Sequence, residues 1–217
     1  MHIYSFSSVQ KVCTAAERSL LLSLDTPEKI QTFISTIPHN FEADGDSCMS
    51  VRGVLAAKRA HCIEGALVAA LALWAHGDKP LIMDMSANDR DDDHIIAIFQ
   101  RNGFWGAISK SNHAYLRYRD PVYRTLRELA MSYFHEYYNA KGEKTLRSYS
   151  RPLSLAKFDP EVWITGLDAW KIAEATCELR HYDLLSERSI VHLRLIDEVE
   201  LRTLKVAEHV ASKRNLK

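Results

Sequence analysis

The sequence predicts a mixed α+β fold, and three observations carry that expectation. Residues 61–77, HCIEGALVAALALWAHG, are apolar on nearly every helical face. A short apolar run follows at 81–85, and Asn102-Gly103 separates two further runs, HIIAIF at 94–99 and FWGAIS at 104–109. A helix apolar all round belongs in the interior of a fold. A short apolar run after a proline reads as a strand, and Asn-Gly between two such runs signals a tight β-hairpin.

The remaining elements follow in chain order. Thr26 before Pro27 is an N-cap with proline at the first helical position, and Ile30, Phe33, Ile34 and Ile37 recur at helical spacing until Pro38 stops them. Residues 40–47 form a polar loop and Val51 to Arg59 a short second helix. The apolar helix stops at Gly77, and the polar stretch SANDRDDD separates the strand at 81–85 from the hairpin. A two-residue turn at 102–103 pairs Arg101 with Phe104. That register sets His94 opposite Ser111, with Ser109 diagonal on the same face and Asn112 pointing away.

From Pro121 onward the pattern reads as mostly helical. Leu126, Leu129, Ala130, Tyr133, Phe134 and Tyr137 mark one face, KTLRSYS at 144–150 is a candidate strand, and Asp159-Pro160 opens another helix. Ile190 to Val210 reads as one long helix with charges on its outer side. The expected organisation is a single domain over residues 1–217, with an N-terminal helical segment at 1–49, a core at 50–120 and a helical extension at 121–217.

Composition narrows the function classes. At 217 residues and 47% hydrophobic content the chain can bury a sizeable core. Lys plus Arg and Asp plus Glu are 28 each, so no long-range field draws in nucleic acid or an anionic membrane. The longest apolar stretch, Ala66 to Ala75, is about half a membrane span. Cys13, Cys48, Cys62 and Cys177 lie far apart, without CxxC pairs, and the N-terminus lacks a secretory signal pattern. The expectation is a soluble cytoplasmic protein with reduced thiols.

Cys62 stands at the start of the apolar helix, where unpaired N–H groups and the helix dipole favour a thiolate. His94 opens a strand, and imidazole is the side chain suited to accept the thiol proton. The order helix, strand, hairpin resembles the transglutaminase-like superfamily, which has a papain-like cysteine peptidase fold. Cys62, Glu64, Gly77 and Pro80 fall close to its helix-to-strand pattern, and His94, Gly103 and Trp105 resemble its later strand and turn. The resemblance covers residues 50 to 112. It implies a papain/transglutaminase-like core, a buried Cys-bearing helix packed on a small antiparallel sheet, with extra helices at both ends.

The family usually carries Asp four residues after the Trp to orient the His, and here that position is Ser109, which brings no charge. Asn112, chemically acceptable as in Cys-His-Asn sites, and Asp84 on the preceding strand are the other candidates, and the residues leave the three open. The resemblance implies thiol acyl chemistry on a peptide, protein or small amide and calls for no cofactor; it does not fix the acyl acceptor, and a cytoplasmic setting favours hydrolysis over cross-linking. A catalytically idle fold that binds a peptide or partner protein is the alternative. A third reading is an interaction module that assembles with its own copy through residues 190–210.

Other constellations read more plainly. Asp91 to His94 offers metal-ligand types, yet adjacent residues on an extended chain point in opposite directions, so a wet loop is the expectation and no metal site is assigned. His135-Glu136 lacks the second His of a zinc-protease helix. Residues 110 to 119 mix basic and aromatic side chains, too short a patch in a neutral protein for nucleic acid, and read equally as a cleft wall or a surface loop. Tyr133, Phe134, Tyr137, Trp163 and Trp170 read as packing.

Overall fold

The computed structural model describes residues 2–43 and 45–209. Four short helices lead in: α1 (Phe6–Val12), α2 (Ala15–Ser23), α3 (Pro27–Thr36) and α4 (Val51–Ala57). In α3 the Thr26 side chain accepts from Lys29 N–H with Pro27 at the first helical position, as the sequence reads. Helix α5 (Cys62–Ala75) buries every residue from Ile63 to Trp74. It ends where Gly77 takes φ +91°, a left-handed conformation that glycine adopts without a Cβ clash, and the amides of Gly77 and Asp78 return to Trp74 and Leu73.

The sheet grows around β1 (Leu81–Ala87), β2 (His94–Arg101) and β3 (Phe104–Ile108). Asn102 and Gly103 both have positive φ, 53° and 82°, as a two-residue hairpin turn of the primed type requires, and Arg101 pairs with Phe104 in the expected register. The chain then adds β4 (Arg119–Tyr123), β5 (Leu146–Ser150), β6 (Leu153–Ser154) and β7 (His181–Asp183). Strand order is β4-β3-β2-β1-β5-β7, with β6 continuing beside β1 after β5, and every pairing is antiparallel.

Both faces of the sheet are covered. On one, Ile82, Ile95, Ala97, Phe99 and Ile108 pack with α5 and the N-terminal helices. On the other, Met83, Met85, Ile96, Ile98 and Ala107 meet Leu129, Ala130, Tyr133, Phe134 and Tyr137. Strands buried on both faces read as continuous apolar runs, which is why HIIAIF lacks alternation. Trp163 is fully buried and stacks on Trp74 at 6.3 Å, whereas Trp170 is 42% exposed and is not core.

Two expectations are corrected. Residues after 121 are not a mostly helical extension, because β4 to β7 belong to the same sheet as the core, which is therefore seven-stranded rather than small. Pro121, taken as the start of helical structure, lies inside β4, and β4 is an edge strand, where a residue without an N–H is tolerated. Helix α6 is only Leu126–Met131, followed by a 3-10 turn at Phe134–Glu136, and α7 spans Trp170–Cys177.

The long helix expected over Ile190 to Val210 is not formed among the described residues; Val210 itself lies outside them. The segment holds α8 (Glu187–Ile190), α9 (Glu198–Leu201) and a 3-10 turn at Arg202–Lys205. Its backbone is drawn into tertiary hydrogen bonds instead: Ile196 N–H to Gly142 O at 3.0 Å and Glu208 N–H to Asn112 O at 2.7 Å. Self-assembly through a continuous helix there loses its element. No helix among the described residues is long and apolar enough to cross a membrane.

Candidate active site

Helix α5 presents Cys62 as its first residue, with His61 extended just before it as the N-cap. Cys62 is partly exposed as a residue, and its thiol lies within electrostatic reach of the imidazoles of His61 and His94. Burial pushes its pKa up, and those two rings outweigh burial, holding it down at about 5. That direction favours the thiolate. The other cysteines are free as well but differ in chemistry: burial raises Cys13, and burial with the charge of Glu64 lifts Cys48 to about 12. Cys177 is exposed.

His61 was not singled out in the sequence, although its position directly before Cys62 is the signal that would have found it. Its Nε2 lies 2.8 Å from Ser47 O, 3.5 Å from Glu64 Oε1 and 3.6 Å from Glu42 Oε1. Burial alone lowers its pKa, and the thiolate, Glu64 and the Ser47 carbonyl reverse that to about 9. The two shifts favour an imidazolium on His61 beside a thiolate on the adjacent residue.

Glu64 anchors the arrangement from below. It is fully buried in the first turn of α5 and accepts from Met49 N–H at 2.8 Å, His61 N–H at 2.9 Å, Ser47 Oγ at 3.1 Å and Asn40 Nδ2 at 3.2 Å. A buried carboxylate needs such donors, and here all but His61 N–H come from residues 40–49, a loop thereby tied to the helix start.

His94 is the first residue of β2, and its Nε2 lies 2.8 Å from Ser109 Oγ, the diagonal contact that the hairpin register sets up. The Ser109 hydroxyl also meets Leu116 O. A carbonyl can only accept, so the hydroxyl proton is assigned to that bond and Ser109 accepts from His94 Nε2–H. Nδ1 of His94 is then the nitrogen left to face the thiol. Ser109 is itself held by Gln31, whose side chain exchanges two hydrogen bonds of 2.9 Å with its backbone. Leu116 adopts φ +57°, unusual for a branched side chain, and its N–H donates to Glu136 Oε2 at 3.1 Å.

Of the three candidates for orienting His94, Ser109 makes that contact, and Asn112 and Asp84 are engaged elsewhere. Asn112 exchanges hydrogen bonds of 3.0 and 2.9 Å with the backbone of His209, pinning the C-terminal segment. Asp84 accepts from Ser86 Oγ at 2.7 Å and meets His181 Nε2 at 2.9 Å, leaving Oδ1 buried without a partner. Neither has His94 among its hydrogen-bond partners.

Cys62 and His94 open onto a cleft of about 740 Å³, lined further by loop 89–93, segment 110–116 and residues 137–140. Segment 110–116 is therefore cleft wall. The aspartates of loop 89–93 diverge: Asp91 takes the Thr145 hydroxyl and Asp93 Oδ1 takes Ala87 N–H. No three His, Cys, Asp or Glu among the described residues converge as a metal set.

An acidified thiol with two imidazoles at a helix start, beside an open cleft, can add to a carbonyl and pass protons. Set beside known protein families and curated proteins, the chain matches none of them.

Proposed function

We propose that this chain is a thiol-dependent acyl-transfer enzyme on a papain/transglutaminase-like core, hydrolysing an amide or thioester in a peptide, protein or small amide. One observation supports the reading: Cys62, at the start of α5, and His94 line the same open cleft, and the rings of His61 and His94 favour the thiolate. Free cysteines throughout the described chain suit a reducing, cytoplasmic setting.

With the proton given up by the thiol held on Nδ1 of His94, the thiolate adds to the carbonyl carbon to form a C–S bond. The oxyanion takes the backbone N–H of Cys62 at the helix start. The C–N bond of an amide then breaks as His94 returns the proton to the leaving amine. Water adds to the resulting thioester, giving its proton to His94. The C–S bond breaks, and the carboxylic acid leaves with Cys62 restored. His61 works as a positioning charge that keeps the sulfur ionised between cycles.

The test is alkylation by iodoacetamide across pH, followed residue by residue. Cys62 labels with a midpoint near pH 5 and a plateau above it, far ahead of exposed Cys177 at pH 6. Labelling no faster than Cys177 removes the reading. The idle, peptide-binding alternative rests on Ser109, whose neutral hydroxyl gives an imidazolium no charge to lean on. It predicts the same fast alkylation with no release of amine from any amide offered.

A further inference from the structure

Lys110 is the cleft residue that the thiol chemistry leaves unused. Its stem crosses α5 at Gly65: a Cβ built on Gly65 would lie 2.5 Å from Lys110 Cβ and 3.0 Å from its Cγ. Gly65 is three residues after Cys62, one turn along the same helix face, so the absent side chain is what lets the lysine pass there. Lys110 is 2% exposed, and its ammonium donates to Ile37 O. An ammonium has three N–H donors, and among the described residues none of the ion pairs includes it.

The carboxylate whose charge bears on it, Glu208, is itself held by Arg117 at 3.2 Å. A buried cation without its own anion is costly, and burial pushes the Lys110 pKa down, a penalty that a bound anion would offset. Two imidazoles of the same cleft have spare nitrogens: Nδ1 of His39 and Nδ1 of His113 are buried without hydrogen-bond partners. The cleft also carries Asp89, Asp91, Asp92 and Asp93, which oppose a polyanion and leave room for a compact ligand of one negative charge.

We propose that Lys110, with His39 and His113, forms a carboxylate-binding subsite of the Cys62 cleft, so that the acyl substrate carries one carboxylate within reach of the scissile bond. This rests on reading Cys62 as the reactive thiolate. The carboxylate comes from a chain terminus or from an acidic side chain, and three alkylating probes of one shape separate these sources: iodoacetyl-glutaminamide, neutral; iodoacetyl-glutamine, with a terminal carboxylate; and iodoacetyl-glutamic acid α-amide, with a side-chain carboxylate.

One of the two acids labels Cys62 about five- to tenfold faster than the neutral probe, the scale of one charge-assisted contact. Which acid wins names the source. Lys110→Met and Lys110→Gln abolish that advantage, while the neutral probe keeps its rate within about twofold. The methionine stem still crosses Gly65, and what the variant gives up is the hydrogen bond to Ile37 O, while the glutamine amide can still donate there. Equal rates for all three probes on the unmodified chain overturn the subsite. So does an acid advantage that survives both variants, which assigns the attraction to His61 and His94 instead. Failure of the thiolate reading shows separately, as slow labelling of Cys62 by the neutral probe.

Discussion

Ser109 Oγ lies 2.8 Å from His94 Nε2 and donates its own O–H to the Leu116 carbonyl, so a neutral hydroxyl holds the ring where Ser-His-Asp and Cys-His-Asn sites use a charged or amide group. The hydroxyl fixes the tautomer and the ring plane but supplies no compensating charge. The second imidazole, His61, supplies the charge the sulfur needs.

Ser109→Ala strands two groups at once, the Nε2–H of His94 and the carbonyl of Leu116. We expect a loss of about 1–3 kcal/mol in stability, read from the urea midpoint at constant slope. The downfield imidazole N–H resonance of His94, slow to exchange in the unmodified chain, disappears. A variant with unchanged midpoint and resonance shows that the contact does not hold the ring.

His61→Ala moves the Cys62 alkylation midpoint up from about 5 toward the ordinary thiol value. Once it passes pH 6, the rate at that pH falls about tenfold for every further pH unit it travels. The sign of the accompanying stability change follows from the direction of each shift. Cys62 ionises more readily when folded, so its contribution is complete above about pH 9 and is lost as pH falls through about 5. His61 holds its proton more tightly when folded, so its contribution is complete below about 6.5 and is lost as pH rises through about 9. The Tm gap between the unmodified chain and His61→Ala therefore closes on the alkaline side, and a gap that widens there contradicts the pairing.

Glu64→Gln replaces an acceptor oxygen with an N–H₂ that faces other donors, whichever way the amide turns. Met49 N–H or His61 N–H loses its partner, at a cost of about 2–3 kcal/mol. Chemical denaturation checks the stability, and faster amide exchange at residues 47–49 checks that the loop is what comes loose.

Gly65→Ala gains helix propensity and still destabilises. The added carbon falls 2.5 Å from Lys110 Cβ, which is attached to the backbone and cannot swing away. Overpacking of this kind costs about 1–3 kcal/mol. Because Lys110 follows Ser109, a shift there also slows Cys62 alkylation at pH 6; an unchanged rate and midpoint mean that the chain accommodates the carbon.

The parts of this fold that local physics decides were legible in the sequence. The burial of α5 follows from apolar residues on every face, the start of α3 from Thr26-Pro27, and the hairpin register from Asn102-Gly103, down to the diagonal placement of His94 and Ser109. The second half was not legible, for the opposite reason. Residues 126–137 have helical spacing, yet α6 stops at Met131, and residues 190–209 are parted by backbone bonds to Gly142 and Asn112, partners about 50 and about 100 positions away. Asn112 and Asp84 had suitable chemistry, and only three dimensions show that His209 and His181 occupy them. Gln31 was hidden likewise: nothing in α3 marks it as the clamp on a serine 78 positions later.

His61 and Cys62 are joined by a peptide bond, whereas His94 reaches the sulfur only because strand and helix are packed together. Loosening the sheet from α5 would take away the proton carrier and leave the electrostatic partner in place. Such a half-opened molecule would still be scavenged by electrophiles while being unable to turn over, so thiol titration alone would overcount competent molecules in an ageing preparation.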